Sequence, residues 1–145
     1  MRFLIYINKF LVLFLFFISI NCWSQNLKFR YPKEVESNDI ILLNMFKHRD
    51  GRFIDETEIN QLFTFLKGNN DKKFKIRIHI FGGASRGTMS YTKSLSDNLS
   101  KKLNLANLNS NMIEVENCGD KYPIFCVGKN EFKRRNNNRI EIICF

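Results

Sequence analysis

The sequence predicts one α/β (α+β) domain with the element order βαβαβ followed by β, in which the helices pack on one face of a mixed sheet. Segments with strand character alternate with two segments of helical periodicity, and a further strand follows a basic segment near the C-terminus. Alternating elements of these lengths are typical of helices layered on a sheet. About 120 residues follow the N-terminal segment, which is enough for one domain with one core.

Strict alternation of apolar and polar residues makes the segment 73–81 the clearest strand in the sequence. Its apolar positions are Phe74, Ile76, Ile78 and Ile80, and its polar positions are Lys75, Arg77 and His79. A single histidine on the polar face of a strand is expected to be half exposed. Apolar runs of strand length at 40–46, 112–116 and 139–145 predict the remaining strands.

Two segments have the periodicity of amphipathic helices. The first follows Asp55 or Thr57, either of which can cap it, and ends at residues 68–70. Its apolar stripe consists of Ile59, Leu62, Phe63 and Leu66. The second is expected over residues 90–105, with a buried stripe of Tyr91, Leu95, Leu99 and Leu103. Between the first strand and the first helix, residues 48–52 predict a turn.

The first 24 residues are typical of a secretory signal peptide. Arg2 and Lys9 precede an apolar stretch at 10–20, which is followed by a polar residue. Eleven residues of helix reach roughly 17 Å, well short of the ~30 Å hydrocarbon core of a membrane. We therefore expect an exported protein, located in the periplasm or associated with the outer membrane.

The processing of the signal peptide determines whether the protein is attached to a membrane. Cleavage before Gln25 leaves residues 25–38 as a short irregular leader and residues 39–145 as the domain. Two alternatives stay open, namely lipidation of Cys22 and an uncleaved signal that serves as an anchor. Membrane association is expected only through one of these two routes.

The chain is strongly basic, with 23 Lys and Arg against 14 Asp and Glu. Without Arg2 and Lys9 the counts are 21 and 14, or about +7. Such a charge favours a polyanionic partner in the cell envelope. Nucleic acid is excluded as a partner, because the protein is exported and Phe132 is the one aromatic residue within the basic segment 129–139.

The remaining chemistry-bearing residues predict a binding module rather than an enzyme. Cys118 and Cys126 flank a loop with Gly119 and Pro123, and an exported protein can close it with a disulfide. Cys144 is then left over and is expected to be buried in a strand. No spacing of cysteines and histidines fits a metal site, and no cofactor motif, carboxylate pair or activated nucleophile is recognisable.

Two segments of the chain resemble the OmpA-like peptidoglycan-binding domain family. The pattern Ile78-x-Ile80-x-Gly82, a short loop and then Thr92-x-x-Leu95-Ser96 is similar to the family's strand, loop and helix start. The turn Gly119-x-x-x-Pro123 and the ending Arg134-x-x-Asn137-Asn138-Arg139-Ile140-Glu141-Ile142 are similar to the family's closing segment. The resemblance covers about residues 38–145 and implies an OmpA-like fold.

The sequence departs from the family at the residues that the resemblance would place against the ligand. The family's Asp and Arg grip the diaminopimelate of the wall peptide, and their positions here hold Ser85 and Leu99. Thr92 replaces the asparagine with which the family's second helix opens. Of the two adjacent arginines in the family's closing segment, only Arg139 is retained. Losing both charged partners is expected to abolish the family's mechanism, because a desolvated zwitterion needs them. Arg86 and Arg139 are candidate substitute cations.

Two functions are compatible with these residues. The first is non-covalent binding of peptidoglycan, or another envelope polyanion, through a degenerate ligand site formed by Ser85, Arg86, Thr92 and Arg139. The second is an OmpA-like scaffold that associates with envelope proteins and no longer binds the wall.

Overall fold

The computed structural model describes residues 27–81, 85–108, 111–124 and 137–145 of the chain. The strands are β1 (Leu27–Phe29), β2 (Ile40–Asn44), β3 (His48–Arg49), β4 (Arg52–Phe53), β5 (Phe74–His79), β6 (Ile113–Gly119) and β7 (Arg139–Cys144). The helices are α1 (Glu56–Gly68) and α2 (Ser85–Leu105). The predicted signal peptide, Cys22, Cys126 and the basic residues 129–136 lie outside the described residues.

Five strands form a mixed sheet in the order β1-β2-β7-β5-β6, and both helices pack on one face of it, as the sequence predicted. The last strand, β7, lies in the centre and is antiparallel to both β2 and β5. The outer pairs, β1 with β2 and β5 with β6, are parallel. The helix α2 thus connects two parallel strands, β5 and β6, which both end at the same edge of the sheet.

The register of β5 and β7 aligns their apolar positions on the helix-covered face. Phe74, Ile76 and Ile78 lie opposite Cys144, Ile142 and Ile140, and all six side chains are buried. Burying an aliphatic or phenyl side chain is worth about 1.5–3 kcal/mol, so this strip anchors the core. The buried position predicted for Cys144 is confirmed.

Helix α1 begins where the sequence placed it, and the structure selects Asp55 over Thr57 as its cap. The Asp55 carboxylate accepts hydrogen bonds from the backbone N–H groups of Thr57 and Glu58. Phe63 was predicted in the buried stripe but is only partly buried, and Phe65 takes that place. The reason is aromatic packing, because the Phe65 ring centroid lies 5.0 Å from Tyr31 and 5.7 Å from Phe74.

Helix α2 starts five residues earlier than predicted, at Ser85 rather than residue 90. The small and hydroxylated residues at 85–90 favour a loop in the sequence, but hydroxyls of α2 bond to carbonyls one turn earlier in the helix. Thr92 Oγ1 donates to the Thr88 carbonyl, and Ser96 Oγ donates to the Thr92 carbonyl. The leucine stripe of α2 is confirmed, with Leu95, Leu99 and Leu103 buried and Tyr91 partly buried.

The prediction of an irregular leader over residues 25–38 is wrong for the described residues 27–38. Residues 27–29 form β1, which extends the sheet beyond β2, and Val35 is buried in the core. Lys28 Nζ lies 2.5 Å from the buried Asp39 carboxylate, which also accepts a hydrogen bond from the Glu36 N–H at 2.7 Å. Three residues are too few for a visible alternation, so this strand has no recognisable sequence pattern.

The predicted turn at 48–52 is the tip of a hairpin, β3–β4, that packs against α2. His48 Nδ1 lies 2.8 Å from the Tyr91 hydroxyl, and Asn98 Oδ1 accepts from the Phe53 N–H. Gly51 has a positive φ of 71°, and a Cβ there would lie 2.6 Å from the Ser94 Cβ. A glycine is therefore required where the hairpin meets the helix.

Candidate ligand-binding site

The candidate site lies at the edge of the sheet where β5 and β6 end and β7 begins. His79 pairs with Gly119 on one side and with Arg139 on the other. The chain leaves β5 through Phe81, whose N–H donates to Asn138 Oδ1 at 2.6 Å, and enters α2 at Ser85. The ends of two strands and the start of a helix therefore meet here, as the sequence order required.

A buried ion cluster occupies the face of this edge that the helices do not cover. Glu141 Oε1 lies 2.7 Å from Arg139 Nε and 2.6 Å from Arg139 Nη2, and Glu141 Oε2 lies 3.2 Å from His79 Nε2. Burial alone would raise the pKa of Glu141. The hydrogen bonds and charges of His79 and Arg139 have the larger effect and lower this pKa to about 2. Glu141 is therefore a carboxylate at any physiological pH.

His79 is fully buried, so the prediction of a half-exposed histidine is wrong. The reason is the segment 121–124, which closes over this end of the sheet. His79 Nδ1 lies 3.0 Å from the Lys121 carbonyl oxygen, which only accepts hydrogen bonds. The Glu141 carboxylate faces Nε2 at 3.2 Å, so both ring nitrogens of His79 face oxygen atoms of the protein.

Residues 121–124, which we call the rim loop, are held from below by three buried side chains. His79 contacts the Lys121 carbonyl, Arg139 Nη2 donates to the Tyr122 carbonyl at 2.8 Å, and Asn137 Oδ1 accepts from the Ile124 N–H at 2.8 Å. Above these contacts, Tyr122 and Ile124 are 65% and 51% exposed. The rim loop is thus fixed in place while it presents apolar side chains to solvent.

The sequence-predicted site residues fall into two groups. Ser85 and Arg86 form the start of α2, so the order of the chain brings them to the same edge of the sheet as Arg139. Thr92 is fully buried in the second turn of the helix, and its hydroxyl donates to the Thr88 carbonyl at 2.6 Å. Arg139 is also buried and directs its donors to Glu141, Asn137 and Tyr122.

Leu99, which the sequence resemblance placed at the position of an arginine, is fully buried and offers no polar atom to a ligand. The first turn of α2 contains no acidic residue to offset the partial positive charge of the helix N-terminus. The sequence adds one positive charge to that turn, at Arg86. The start of α2 is therefore electropositive and suited to an anionic group.

Gly119 joins this edge to the helix. Its φ is +56°, and a Cβ there would overlap the sulfur of Met89 in the first turns of α2. Asn117 Nδ2 also donates to the Met89 carbonyl at 3.2 Å. The close approach that glycine permits fixes the start of α2 against the end of β6.

The two cysteines that the structure describes show no sign of reactivity. Cys118 and Cys144 are buried free thiols, and burial with the nearby charge of Glu116 raises the pKa of Cys118 to about 11. Because Cys126 lies outside the described residues, its disulfide with Cys118 stays a prediction. Within the described parts of the chain, no group of three or more histidine, cysteine, aspartate or glutamate residues could hold a metal ion.

Two open hollows of about 510 and 490 Å³ lie away from this edge, beside α1, and share Tyr31 and Gln61 in their linings. Neither is lined by a residue of the ion cluster or the rim loop. Over the ranges that the structure covers, no helix is both long and apolar enough to cross a membrane.

Comparisons with known proteins identify the fold. No protein-family model matches the sequence, and no curated protein matches it. The structure is similar to a MotB-like protein from Desulfovibrio vulgaris (TM-score 0.62, 13% identity, 77% of this chain and 76% of that chain). It is also similar to the peptidoglycan-associated lipoprotein from Burkholderia pseudomallei (TM-score 0.56, 16% identity, 70% of this chain and 88% of that chain). A third similar structure is the cell wall anchor of the T6SS from Pseudomonas aeruginosa (TM-score 0.57, 13% identity, 71% of this chain and 78% of that chain). The chain has the fold of OmpA-like domains.

Proposed function

We propose that this chain is a divergent member of the OmpA-like family that binds peptidoglycan non-covalently in the cell envelope. The observation that carries the proposal is the electropositive start of α2, with Arg86 and no acidic residue in its first turn, at the edge of the sheet where β7 begins. The solved structures with this fold include a peptidoglycan-associated lipoprotein and a cell wall anchor, which supports the same class of ligand.

The ligand chemistry of this edge is that of a carboxylate acceptor. Stem peptides of the wall carry carboxylates, and the N–H groups at the start of α2 together with Arg86 can receive one of them. Ser85 adds a hydroxyl in place of the family's aspartate. Because Leu99 replaces the family's arginine in the core, the second half of the charged grip is missing. The site is therefore degenerate, and its affinity for a stem peptide is lower than that of an intact charged pair.

A second candidate function, a scaffold within an envelope assembly, is favoured by a different observation. Thr92 and Arg139 satisfy their hydrogen-bonding groups inside the protein, and neither is exposed. A domain in which the candidate ligand-binding side chains bond to the protein itself can still keep its fold and serve as a rigid partner for envelope proteins.

The proposed location follows from the N-terminal segment. A cleaved signal before Gln25 releases the domain into the periplasm, whereas lipidation at Cys22 or retention of the signal tethers it to a membrane. We propose a binding role because the described residues of this edge offer hydrogen-bond donors and charge.

Co-sedimentation with purified peptidoglycan sacculi tests the proposed function. The mature chain from Gln25 is expected in the pellet at physiological salt, and Arg86→Ala should weaken retention about fivefold or more, as for the loss of one charge-assisted hydrogen bond. Arg52→Ala, which removes an exposed arginine from the β3–β4 hairpin, is the matched control and should leave retention unchanged. If the wild-type chain stays in the supernatant, wall binding is rejected and the scaffold function remains.

A further inference from the structure

Tyr122 in the rim loop combines two properties that an ordinary loop residue does not share. Its φ is +59°, in the left-handed region that disfavours a bulky side chain, and the residue is 65% exposed. A glycine or asparagine would adopt this backbone with less strain, and a polar residue would suit the exposure better. Backbone strain that the surrounding structure maintains is characteristic of functional positions.

The surrounding structure maintains this strain through Arg139. The guanidinium is buried, is neutralised by Glu141 and donates to the Tyr122 carbonyl at 2.8 Å. Two further buried contacts hold the neighbouring residues, from His79 to the Lys121 carbonyl and from the Ile124 N–H to Asn137. A loop fixed at three points loses little conformational entropy when it binds a ligand.

We propose that Tyr122 is a carbohydrate platform on which a sugar ring of the peptidoglycan glycan strand stacks, with Ile124 beside it. This inference rests on the proposed function and deepens it, because it names the part of the wall that the chain recognises. The C–H groups on one face of a pyranose ring carry partial positive charge and pack against the negative face of an aromatic ring. Exposed Lys121 next to the platform can meet a carboxylate at the root of a stem peptide.

The size of the exposed surface favours a sugar over a protein partner. A stable protein interface uses about 800 Å² and roughly 20–30 residues on each side. Within the rim loop, the exposed apolar surface comes from Tyr122, Pro123 and Ile124, next to the charged Lys121. One aromatic ring with an aliphatic neighbour matches the face of one or two sugar rings.

The platform also gives the chain a way to hold the wall without the family's charged grip. Leu99 removes one charged partner, and Arg139 is used to position Tyr122 instead of meeting a ligand. Arg139 is therefore a positioning residue in this inference. Stacking depends little on ionic strength, whereas a contact between Arg86 and a carboxylate is screened by salt.

The test measures binding of the mature chain to soluble glycan strands from which an amidase has removed the stem peptides. Tyr122→Ala should weaken binding about tenfold, the effect of truncating an aromatic anchor, and Tyr122→Phe should stay within about twofold of wild type. Phe145→Ala is the matched control, since Phe145 is an exposed aromatic residue about 20 Å away along β7. All variants must unfold at the wild-type temperature, as expected for exposed side chains.

The outcomes separate this inference from the proposed function. If the wild-type chain binds whole sacculi but not peptide-free glycan, or if Tyr122→Ala binds both as wild type does, the platform is refuted and wall binding stands. If the wild-type chain does not bind sacculi, both proposals fail. If Tyr122→Ala loses an envelope protein partner while glycan binding is unchanged, the rim loop is a protein surface and the platform is equally refuted.

Discussion

Replacing Glu141 with glutamine tests whether the buried ion cluster stabilises the edge of the sheet that carries the site. The substitution keeps the size of the side chain and removes the charge that lies 2.6 Å from Arg139 and 3.2 Å from His79. We expect Glu141→Gln to lower the free energy of unfolding at pH 7 by roughly 3 kcal/mol, which is a large part of the stability of a small domain.

The magnitude follows from the pKa of Glu141. Burial raises this pKa, but the contacts with His79 and Arg139 outweigh the effect and lower it from 4.5 to about 2. Since a tenfold change in acidity is worth about 1.4 kcal/mol, the difference corresponds to roughly 3 kcal/mol at neutral pH. The Glu141 side chain is only 12% exposed, so solvent screens little of this energy.

The sign of the effect sets its dependence on pH. The pKa of Glu141 is lower in the folded protein than in the unfolded chain, so its contribution is fully present above about 4.5 and is lost as the pH falls towards 2. A protonated glutamate and the glutamine that replaces it are both neutral. The difference in stability between wild type and Glu141→Gln should therefore be largest at pH 7 and should nearly vanish at about pH 2.

Urea denaturation of both proteins between pH 7 and pH 2.5 measures this difference. Glu114→Gln is the control, because Glu114 also lies in the sheet and pairs with Lys75 at 3.2 Å, but its side chain is 63% exposed. That variant should lose less than about 1 kcal/mol. A loss below about 1 kcal/mol for Glu141→Gln at pH 7, or a loss that is the same at both ends of the pH range, would refute the stabilising role of the cluster.

Three further substitutions test other parts of the account. Tyr122→Gly should raise the free energy of unfolding by about 1 kcal/mol, since relief of the left-handed strain exceeds the entropy that glycine adds to the unfolded chain, yet it should lose glycan binding. Gly119→Ala should cost about 1–3 kcal/mol through overlap with Met89, and the added substitution Met89→Ala should recover part of that loss. Asp55→Ala should cost about 1 kcal/mol by removing the cap of α1, whereas Thr57→Ala should cost less.

Chemical denaturation measures all three stabilities, and each has a contrary result. A destabilised Tyr122→Gly would mean that the tyrosine side chain itself supports the fold. If Met89→Ala does not recover Gly119→Ala, the strain lies in the backbone angle and not in the contact with α2. Equal losses for the substitutions at positions 55 and 57 would contradict the capping role of Asp55.

The fold could be predicted from the sequence to the extent that its elements repeat a local period. The alternation at 74–80 and the leucine stripe of α2 are long enough to show which side of each element is buried. The strand β1 has three residues and depends on pairing with β2, so no local pattern reveals it. The early start of α2 was hidden because hydroxyl residues are compatible with both a loop and a helix.

The site was less predictable, because its contacts join residues that are far apart in the chain. Arg139 could be found from the closing segment, but its bond to the Tyr122 carbonyl depends on where the rim loop lies. The wrong prediction for His79 has the same cause, because the histidine lies against the backbone of residues 121–124, more than forty positions later in the chain. Tyr122 carried one usable signal, an aromatic residue before a proline in a turn, which on its own indicates no function.

Wall binding itself is tested by co-sedimentation of the mature wild-type chain with purified sacculi, measured as bound fraction against sacculus concentration at physiological salt. We expect saturable retention that persists in part at 0.5 M salt, about three times the ~0.15 M of physiological conditions, because salt screens the contact with Arg86 but not stacking on Tyr122. Retention that does not saturate, or that disappears completely at the higher salt, would indicate non-specific attraction of a basic protein and would contradict a built wall-binding site.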